Sequence, residues 1–319
     1  MTAAIPHPDW QGKPYYSLDA YLKNTYRHKC YKIALDAHMT CPNRDGTLGT
    51  RGCLFCSAGG SGEFAAAGNE IGQQLEAGLA LFGDKQIGEN YIAYFQAYTN
   101  TYASPERLRA LYTQALEHPR VCGISIATRP DCLPRPVLNL LTELRQTYPD
   151  KFIWIELGLQ TIHEDTAQLI RRGYPLSCFE EAAAALRRLE LPFIVHVILG
   201  LPGEDAERIY ETINYLNGIR PFGIKLQLLH ILAGTDLADL YARGTFAALA
   251  KEEYLELLVH CLELLSPEIV IHRLTGDGPR ELLLAPRWSL HKRDVLNSLH
   301  RLMKERQTWQ GRLYEPIEL

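Results

Sequence analysis

The sequence predicts an α/β fold in which six strands form an open, partial barrel of the TIM type. Runs rich in β-branched and aromatic residues recur along the 319-residue chain, and stretches with helical periodicity separate them. This repeated β–α order is typical of a mostly parallel sheet. A closed barrel of this type needs eight units, so we expect six units to leave the barrel open.

The predicted elements follow one another in regular order. The strands are predicted at residues 31–37, 91–96, 121–128, 152–160, 193–201 and 224–232. The helices between them are predicted at residues 70–82, 105–117, 134–147, 177–189 and 205–217. Several of these helices begin with Ser, Asp or Pro, which favour the first turn of a helix.

The pattern changes after the sixth strand. Here the sequence predicts helices at 235–241, 251–264 and 291–306, with a short strand at 269–272. We therefore expect a helical C-terminal extension that packs on the barrel. A boundary near Ala233 would divide the chain into a core, residues 1–233, and a candidate substrate-binding region, residues 234–319.

Composition and charge restrict the class of protein. With 46% hydrophobic and 22% charged residues, the chain has the make-up of a soluble globular protein. The amino terminus has no apolar signal region, and the longest apolar stretch, 193–201, is far too short to cross a bilayer. We expect a cytoplasmic protein with no membrane partner, in which the eight cysteines are reduced.

A basic segment lies near the carboxyl end, although the net charge of −4 argues against bulk nucleic-acid binding. Residues 287–312 contain seven Lys or Arg residues and only two acidic ones, with Trp288 and Trp309 between them. The segment is either a nucleic-acid contact or a solvated helix face, and the sequence leaves both interpretations open.

Three cysteines on one segment, Cys41, Cys53 and Cys56, are the clearest chemical signal. Three thiolates can hold a four-iron cluster and leave one iron without a protein ligand, and no further cysteine follows until Cys122. With His38, the same three thiolates would instead make a Cys3His zinc site. The cysteines alone leave both metals open.

Polar residues also cluster where the predicted strands end. These segments are 41–56, 96–102, 128–132, 160–163 and 200–204. Parallel β/α folds build their active sites at the carboxyl ends of the strands, so we expect these segments to converge on one mouth.

The ordered set of motifs resembles the radical S-adenosylmethionine enzymes. Within them, the chain is most similar to the YhcC-type family, which is related to the radical domain of the elongator acetyltransferase. The motifs are CPNRDGT, GCLFCSAGGSGEF, YFQAYTNTY, IATRPDCLP, IELGLQTIHEDT with RRGY, HVILGLPGE, IHRLTGDG and APRWSLHK. Together they extend over nearly the whole chain and imply the partial barrel of the radical SAM fold.

The resemblance implies a cofactor pair. Cys41, Cys53 and Cys56 would bind a [4Fe–4S] cluster, whose fourth iron is chelated by the amino and carboxylate groups of S-adenosylmethionine. Reductive cleavage then gives methionine and a 5′-deoxyadenosyl radical that abstracts a hydrogen atom. The long spacing between the first two cysteines agrees with the elongator-related branch.

The resemblance also implies contacts to the cosubstrate. Gln160 and Arg172 match the contacts to its amino and carboxylate groups; otherwise Arg171 and Arg172 would be a solvated helix end. The remaining candidate contacts are Phe55, beside the last cysteine, and Gly200, at a turn expected to face the adenine.

The ribose contact must differ from that of other branches, because Ala127 stands where they carry a glutamate. Glu156, or Gln96 with Asn100, are the candidate substitutes. Glu156 would equally serve as a buried structural carboxylate paired with Arg129.

Two further side chains have open roles. Cys132, at the end of the third strand, is either a functional thiol, which would donate a hydrogen atom to a product radical or hold a covalent intermediate, or a buried small hydrophobe. His196 is expected to be a core or pocket histidine rather than a metal ligand.

Three functions compete. The first is a radical enzyme acting on transfer RNA, with a wobble uridine as the candidate target and a flavodoxin- or ferredoxin-type electron donor. The second is the same chemistry on a small metabolite. The third is a zinc-binding interaction protein without enzymatic activity.

Overall fold

The computed structural model describes residues 10–27, 29–66, 68–82 and 90–316. Within these residues, seven strands form one parallel sheet in which each strand pairs with the next along the chain. The strands are β1 (Cys30–Leu35), β2 (Asn90–Phe95), β3 (Val121–Thr128), β4 (Phe152–Gln160), β5 (Phe193–Leu199), β6 (Gly223–Leu228) and β8 (Val270–Arg273). Two short strands, β7 (Ile231–Leu232) and β9 (Leu283–Ala285), form a separate antiparallel pair.

Helices follow the strands and cover the outer face of the sheet. They are α1 (Leu18–Tyr26), α2 (Ile71–Ala80), α3 (Pro105–Glu117), α4 (Arg135–Thr147), α5 (Glu164–Leu169), α6 (Leu176–Arg188), α7 (Ala206–Ile219), α8 (Asp236–Ala242), α9 (Lys251–Leu264) and α10 (Lys292–Glu305). Side-chain caps fix several starts, because Ser104 accepts from the Arg107 amide and Asp205 accepts from the Arg208 amide. No described helix is long and apolar enough to cross a membrane.

The sheet curls into the predicted partial barrel. Its curvature brings Lys32 of β1 and Lys225 of β6 onto the same carboxylate, Glu156 of β4. The outer face of the sheet packs against the helices through apolar residues, whereas the inner face carries a polar layer at mid-height. An inner face of this kind encloses a lumen that can bind polar ligands.

The short strand predicted in the C-terminal extension joins the sheet as its seventh member, β8, beside β6. Residues near both ends of the described chain make hydrogen bonds at its outer edge. The Ile271 amide donates to the Tyr16 carbonyl, and the Gln310 side chain donates to the carbonyls of Ser266 and Ile269. A covered edge of this kind does not offer a template for pairing with another chain.

Candidate active site

The cysteine segment folds into a compact loop between β1 and α2. The Arg44 guanidinium donates to the carbonyls of Cys56 and Ser57, at 2.8 and 2.5 Å, and so ties the two ends of the loop together. Asn43 donates from its amide nitrogen to the Cys53 sulfur at 3.4 Å and to the Arg171 carbonyl at 2.7 Å. These bonds fix the loop against the carboxyl end of the sheet.

The three loop thiols share one cavity wall. Burial raises the pKa of Cys53 to about 11, and burial likewise raises the pKa of Cys56. His38 does not join them, because its imidazole is half exposed and lies 3.8 Å from the Asp36 carboxylate. The zinc arrangement with His38 is therefore not the one the structure forms. Among the described residues, no three His, Cys, Asp or Glu side chains are grouped to hold one metal ion.

Two adjoining cavities, of about 190 and 180 Å³, fill the open mouth of the barrel. They share a wall made by Phe55, Cys56, Ser61, Gln96, Gln160, His196, Gln227 and Arg273. One cavity reaches all three loop cysteines, and the other extends to His230 and the loop after β8. The predicted residues Phe55, Gln96 and Gln160 are thus brought together beside the thiols.

Gln160 ends β4 in a strained backbone conformation, with φ at 70°. Its side-chain oxygen is buried and has no hydrogen-bond partner among the described residues. Buried acceptors are rarely left without a donor, so an orphaned oxygen in a cavity wall favours a ligand that donates to it. The amino group of S-adenosylmethionine has that property, and the residues present therefore fit this cosubstrate.

Arg172 lies in the cavity wall, but its donors are already used. The side chain is only 2% exposed and donates to the carbonyls of Tyr174, Leu159 and Thr161 at 2.7 to 3.3 Å, and to the Glu164 carboxylate at 3.2 Å. The alternative of a solvated helix end is wrong for Arg172. A contact with the cosubstrate carboxylate stays a prediction, and it requires some of these bonds to be exchanged.

Glu156 is fully buried in the polar layer of the lumen. It accepts from Ser125 at 2.6 Å, Lys32 at 3.0 Å and His196 at 2.7 Å, and from Lys225. Burial opposes ionisation, but Lys225 and Lys32 hold the pKa of this carboxyl well below its usual range. Glu156 is therefore an ionised structural carboxylate whose oxygens are occupied.

The predicted partner of Glu156 is wrong. Arg129 pairs instead with Asp131 at 2.7 Å and donates to the Arg172 carbonyl at 3.1 Å. The reason is local, because Asp131 is two residues away on the same turn. Arg129 still lines the cavity with the loop thiols, and its guanidinium lies 4.0 Å from the Cys41 sulfur.

His196 is a pocket histidine, as expected, and Glu156 sets its tautomer. Since the ionised carboxylate only accepts, the Nε2 of His196 must carry the proton, and Nδ1 faces the Gln227 amide at 3.3 Å. Burial, together with Lys225, lowers the pKa of His196 to about 4. The ring is therefore neutral near pH 7.

Three predicted site residues line neither of the two cavities at the mouth. Asn100 is buried, its amide nitrogen donates to the carbonyls of Phe95 and Ala127, and its side-chain oxygen has no partner among the described residues. A ribose contact from Asn100 stays a prediction. Cys132 is buried, its sulfur lies 3.8 Å from an Asp131 oxygen, and burial raises its pKa. The structure shows a buried thiol, and a role of Cys132 in catalysis stays a prediction.

Gly200 is needed for the turn. Its φ of 88° is accessible chiefly to glycine, and an added Cβ would lie 2.8 Å from the side chain of Leu249. A contact between Gly200 and the adenine stays a prediction.

Sequence reasoning missed Arg44, Lys225, Gln227 and Arg273 as site residues. A usable signal exists for two of them, because Lys225 and Gln227 alternate with apolar residues along β6 and so point to the same face. For Arg273, the only signal is its place in the motif IHRLTGDG.

Comparison with known proteins agrees with this geometry. The radical SAM superfamily profile matches residues 46–216, and the radical SAM C-terminal domain profile matches residues 221–305. YtqA of Bacillus subtilis is 41% identical over 307 residues, 96% of this chain and 94% of that protein. YhcC of Escherichia coli is 35% identical over 285 residues, 89% of this chain and 90% of that protein.

More distant similarity leads to the elongator branch. The archaeal Elp3 of Methanocaldococcus infernus has the same fold, with a TM-score of 0.67 at 15% identity over 88% of this chain and 64% of that chain. A tRNA uridine(34) acetyltransferase of Methanocaldococcus jannaschii is 24% identical over 174 residues, 54% of this chain and 31% of that protein. The chain belongs to the radical SAM superfamily, whose enzymes use the predicted cofactor pair, a [4Fe–4S] cluster and S-adenosylmethionine.

Proposed function

We propose that this radical SAM enzyme modifies transfer RNA, with a uridine as the candidate target. The observation that carries the enzymatic part is the three-thiol loop beside a polar cavity in which the Gln160 oxygen lacks a donor. When bound, the cluster and S-adenosylmethionine supply a 5′-deoxyadenosyl radical by reductive cleavage, with the electron coming from a flavodoxin- or ferredoxin-type donor.

The chain's own residues hold and orient these groups. Cys41, Cys53 and Cys56 are the cluster ligands in this proposal, and Arg44 keeps their loop in one conformation through its two carbonyl contacts. Gln160 accepts a hydrogen bond from the cosubstrate amino group. Phe55 lines both cavities and excludes water from the space between thiols and lumen.

The RNA part of the proposal draws support from the basic face of α10. Arg293, Arg301 and Lys304 are exposed and form no ion pair within the part of the chain that the structure describes. Two other basic residues of the segment form ion pairs within the chain, Lys292 with Asp277 and Arg306 with Glu256. Three unpaired cations along one helix can neutralise backbone phosphates.

The position of α10 also favours this role. Lys292 is the first residue of the helix, and its ammonium nitrogen lies 2.9 Å from a carboxylate oxygen of Asp277, which lines the cavity. The basic face therefore begins beside the mouth of the barrel. Trp288 is not a stacking platform in this structure, because its indole donates to the Leu249 carbonyl and its ring packs against Tyr254.

The proposed substrate class is taken from a distant relative. One distant relative is named a tRNA uridine(34) acetyltransferase, and its similarity to this chain extends over about half of the present sequence. The proposal takes from it the transfer RNA substrate and the uridine. It does not take the acetyl transfer.

Reversing three charges tests the RNA contact. The triple variant Arg293→Glu, Arg301→Glu, Lys304→Glu should bind bulk transfer RNA at least roughly tenfold more weakly, and the slope of log affinity against log salt should fall by about 2.7, because each lost phosphate contact removes about 0.9. Filter binding over a range of salt concentrations measures both quantities.

The matched control is a second triple variant in which three other arginines are reversed, so that its net charge equals that of the α10 variant. Reversing Arg109, Arg145 and Arg188, which lie on α3, α4 and α6, should leave transfer RNA binding close to the parent. Equal binding by both triple variants would make the α10 face an ordinary solvated surface. If deleting the gene changes no modified nucleoside, the small-metabolite alternative replaces transfer RNA.

A further inference from the structure

Arg273, the last residue of β8, presents an unused guanidinium to the cavity. Its side chain is 26% exposed and lines both cavities. Among the described residues it makes no hydrogen bond, and the nearest carboxylate, that of Asp277, is 3.8 Å away. Arg129 and Arg172 in the same wall differ, because their donors end on carbonyls and carboxylates of the chain.

The one nearby carboxylate is occupied by another cation. Lys292 donates to both oxygens of Asp277, at 3.0 and 2.9 Å, which is closer than the approach of Arg273. Asp277 therefore pairs most closely with Lys292. It lies within ion-pair distance of Arg273 but accepts no hydrogen bond from it.

The charged groups that line the lumen beneath Arg273 are mostly engaged with one another. Lys32 and Lys225 contact the carboxylate of Glu156, where burial lowers the pKa of Lys225, and Glu63 accepts from Ser57. His196 and His230 are neutral because burial lowers the pKa of each to about 4. Arg273 differs, because its donors make no hydrogen bond among the described residues, and a guanidinium of this kind can bind an anion in the cavity.

The loop after β8 adds neutral donors at the same place. The backbone N–H groups of Gly276, Asp277 and Gly278 have no acceptor within the described part of the chain, and all three residues line the cavity. Glycine is required here for packing, since a Cβ on Gly276 would lie 2.6 Å from the His230 ring. Backbone amides without acceptors remain available to donate to an anion in the cavity that these residues line.

We propose that Arg273 and the amides of residues 276–278 form an anion-binding subsite for a carboxylate or phosphate group of the substrate. The planar guanidinium offers two parallel donors to either group, and the loop amides supply further ones. The inference rests on the proposed function, because it assigns this wall of the cavity to the substrate. It adds a requirement to that function, namely that the substrate carries a negative charge within reach of β8.

Chemical modification of the anaerobically reconstituted enzyme tests the subsite. Phenylglyoxal, followed by peptide mass spectrometry, reports the reactivity of each arginine. Arg273 should react readily in chloride and several-fold more slowly when inorganic phosphate or acetate replaces chloride at equal ionic strength. Arg109, an exposed arginine paired with Glu143, should react alike in all three salts, and the buried Arg172 should resist throughout.

Two variants give an independent measurement. By calorimetry, Arg273→Gln should lose at least roughly tenfold in affinity for phosphate or acetate, because a charge-assisted contact is removed. Arg273→Lys should retain part of it, since an ammonium group cannot make the two-point contact. Protection by phosphate alone identifies a phosphate group, and protection by acetate alone identifies a carboxylate.

Three results overturn the subsite. The first is that neither anion protects Arg273, and the second is that Arg273→Gln binds both as the parent does. The third is that S-adenosylmethionine protects as well as phosphate, which would assign Arg273 to the cosubstrate. Iron content and release of 5′-deoxyadenosine, measured on the same preparation, test the proposed function separately, so that either idea can fail while the other stands.

Discussion

The cysteine-loop side of the cavity and its β8 side differ in how they use their hydrogen-bonding groups. On the first side, the donors of Asn43, Arg44 and Arg172 end on backbone carbonyls of the chain. On the second, Arg273 and the amides after it have no acceptor among the described residues. The contrast indicates that one wall is pre-organised to hold a cofactor, while the other keeps its donors for a ligand.

The largest expected effect is the loss of cluster iron when the cysteine loop loses its thiols. Replacing Cys41, Cys53 and Cys56 together with alanine should remove essentially all cluster iron and the visible charge-transfer absorbance, because no other described thiol lines this cavity. Iron analysis after anaerobic reconstitution measures this. The triple variant of Cys30, Cys122 and Cys178 is the matched control and should keep its iron. Full iron in the first variant, or zinc without iron in oxygen-free parent protein, contradicts the cluster assignment.

Two arginine variants compare how much each wall of the cavity contributes to the free energy of unfolding. Arg172→Ala should lower the free energy of unfolding by about 3 kcal/mol, because several buried carbonyls lose their donor. Arg273→Ala should change it by less than about 0.5 kcal/mol, since no hydrogen bond of the described chain is lost. Urea denaturation measures both. Equal losses of stability would show that the two walls are not built differently.

The last prediction concerns the pH dependence of stability on the β8 side. Burial lowers the pKa of His230 from 6.5 to about 4, so the unfolded chain takes up this proton first as the pH falls. The contribution of His230 to stability is therefore complete above pH 6.5 and is lost between 6.5 and 4, at up to about 1.4 kcal/mol per pH unit. His230→Gln should flatten the pH dependence of urea unfolding by that amount. Parallel curves for the two proteins would contradict a buried neutral ring.

The strands were predictable because their signal is local. Apolar β-branched runs mark all six core strands, and the observed ends differ from the predicted ones by a few residues, as in β5, which ends at Leu199 rather than residue 201. The pairing of β8 with β6 was not predictable, because a short strand does not carry the identity of its neighbour. The short helix α5, Glu164–Leu169, is too brief to show a helical period.

The cysteines were predictable from residue type and spacing, whereas the other site residues depend on side-chain direction. Asn100 and Cys132 lie at strand ends, as expected, but a strand end does not reveal whether a side chain faces the lumen or the interior. Arg172 and Arg273 illustrate the same limit. Their difference arises from carbonyls of distant residues, such as Leu159 and Thr161, whose positions are set only by the fold.

The covered edge of β8 has a consequence for the order in which the protein is made. The cysteine loop follows the first strand, whereas β8 is the last strand of the sheet, and Gln310, which holds it, comes later still. Chains are synthesised from the amino terminus, so the three thiols leave the ribosome long before the strand that completes the barrel. We expect the nascent chain to present these thiols in an open loop.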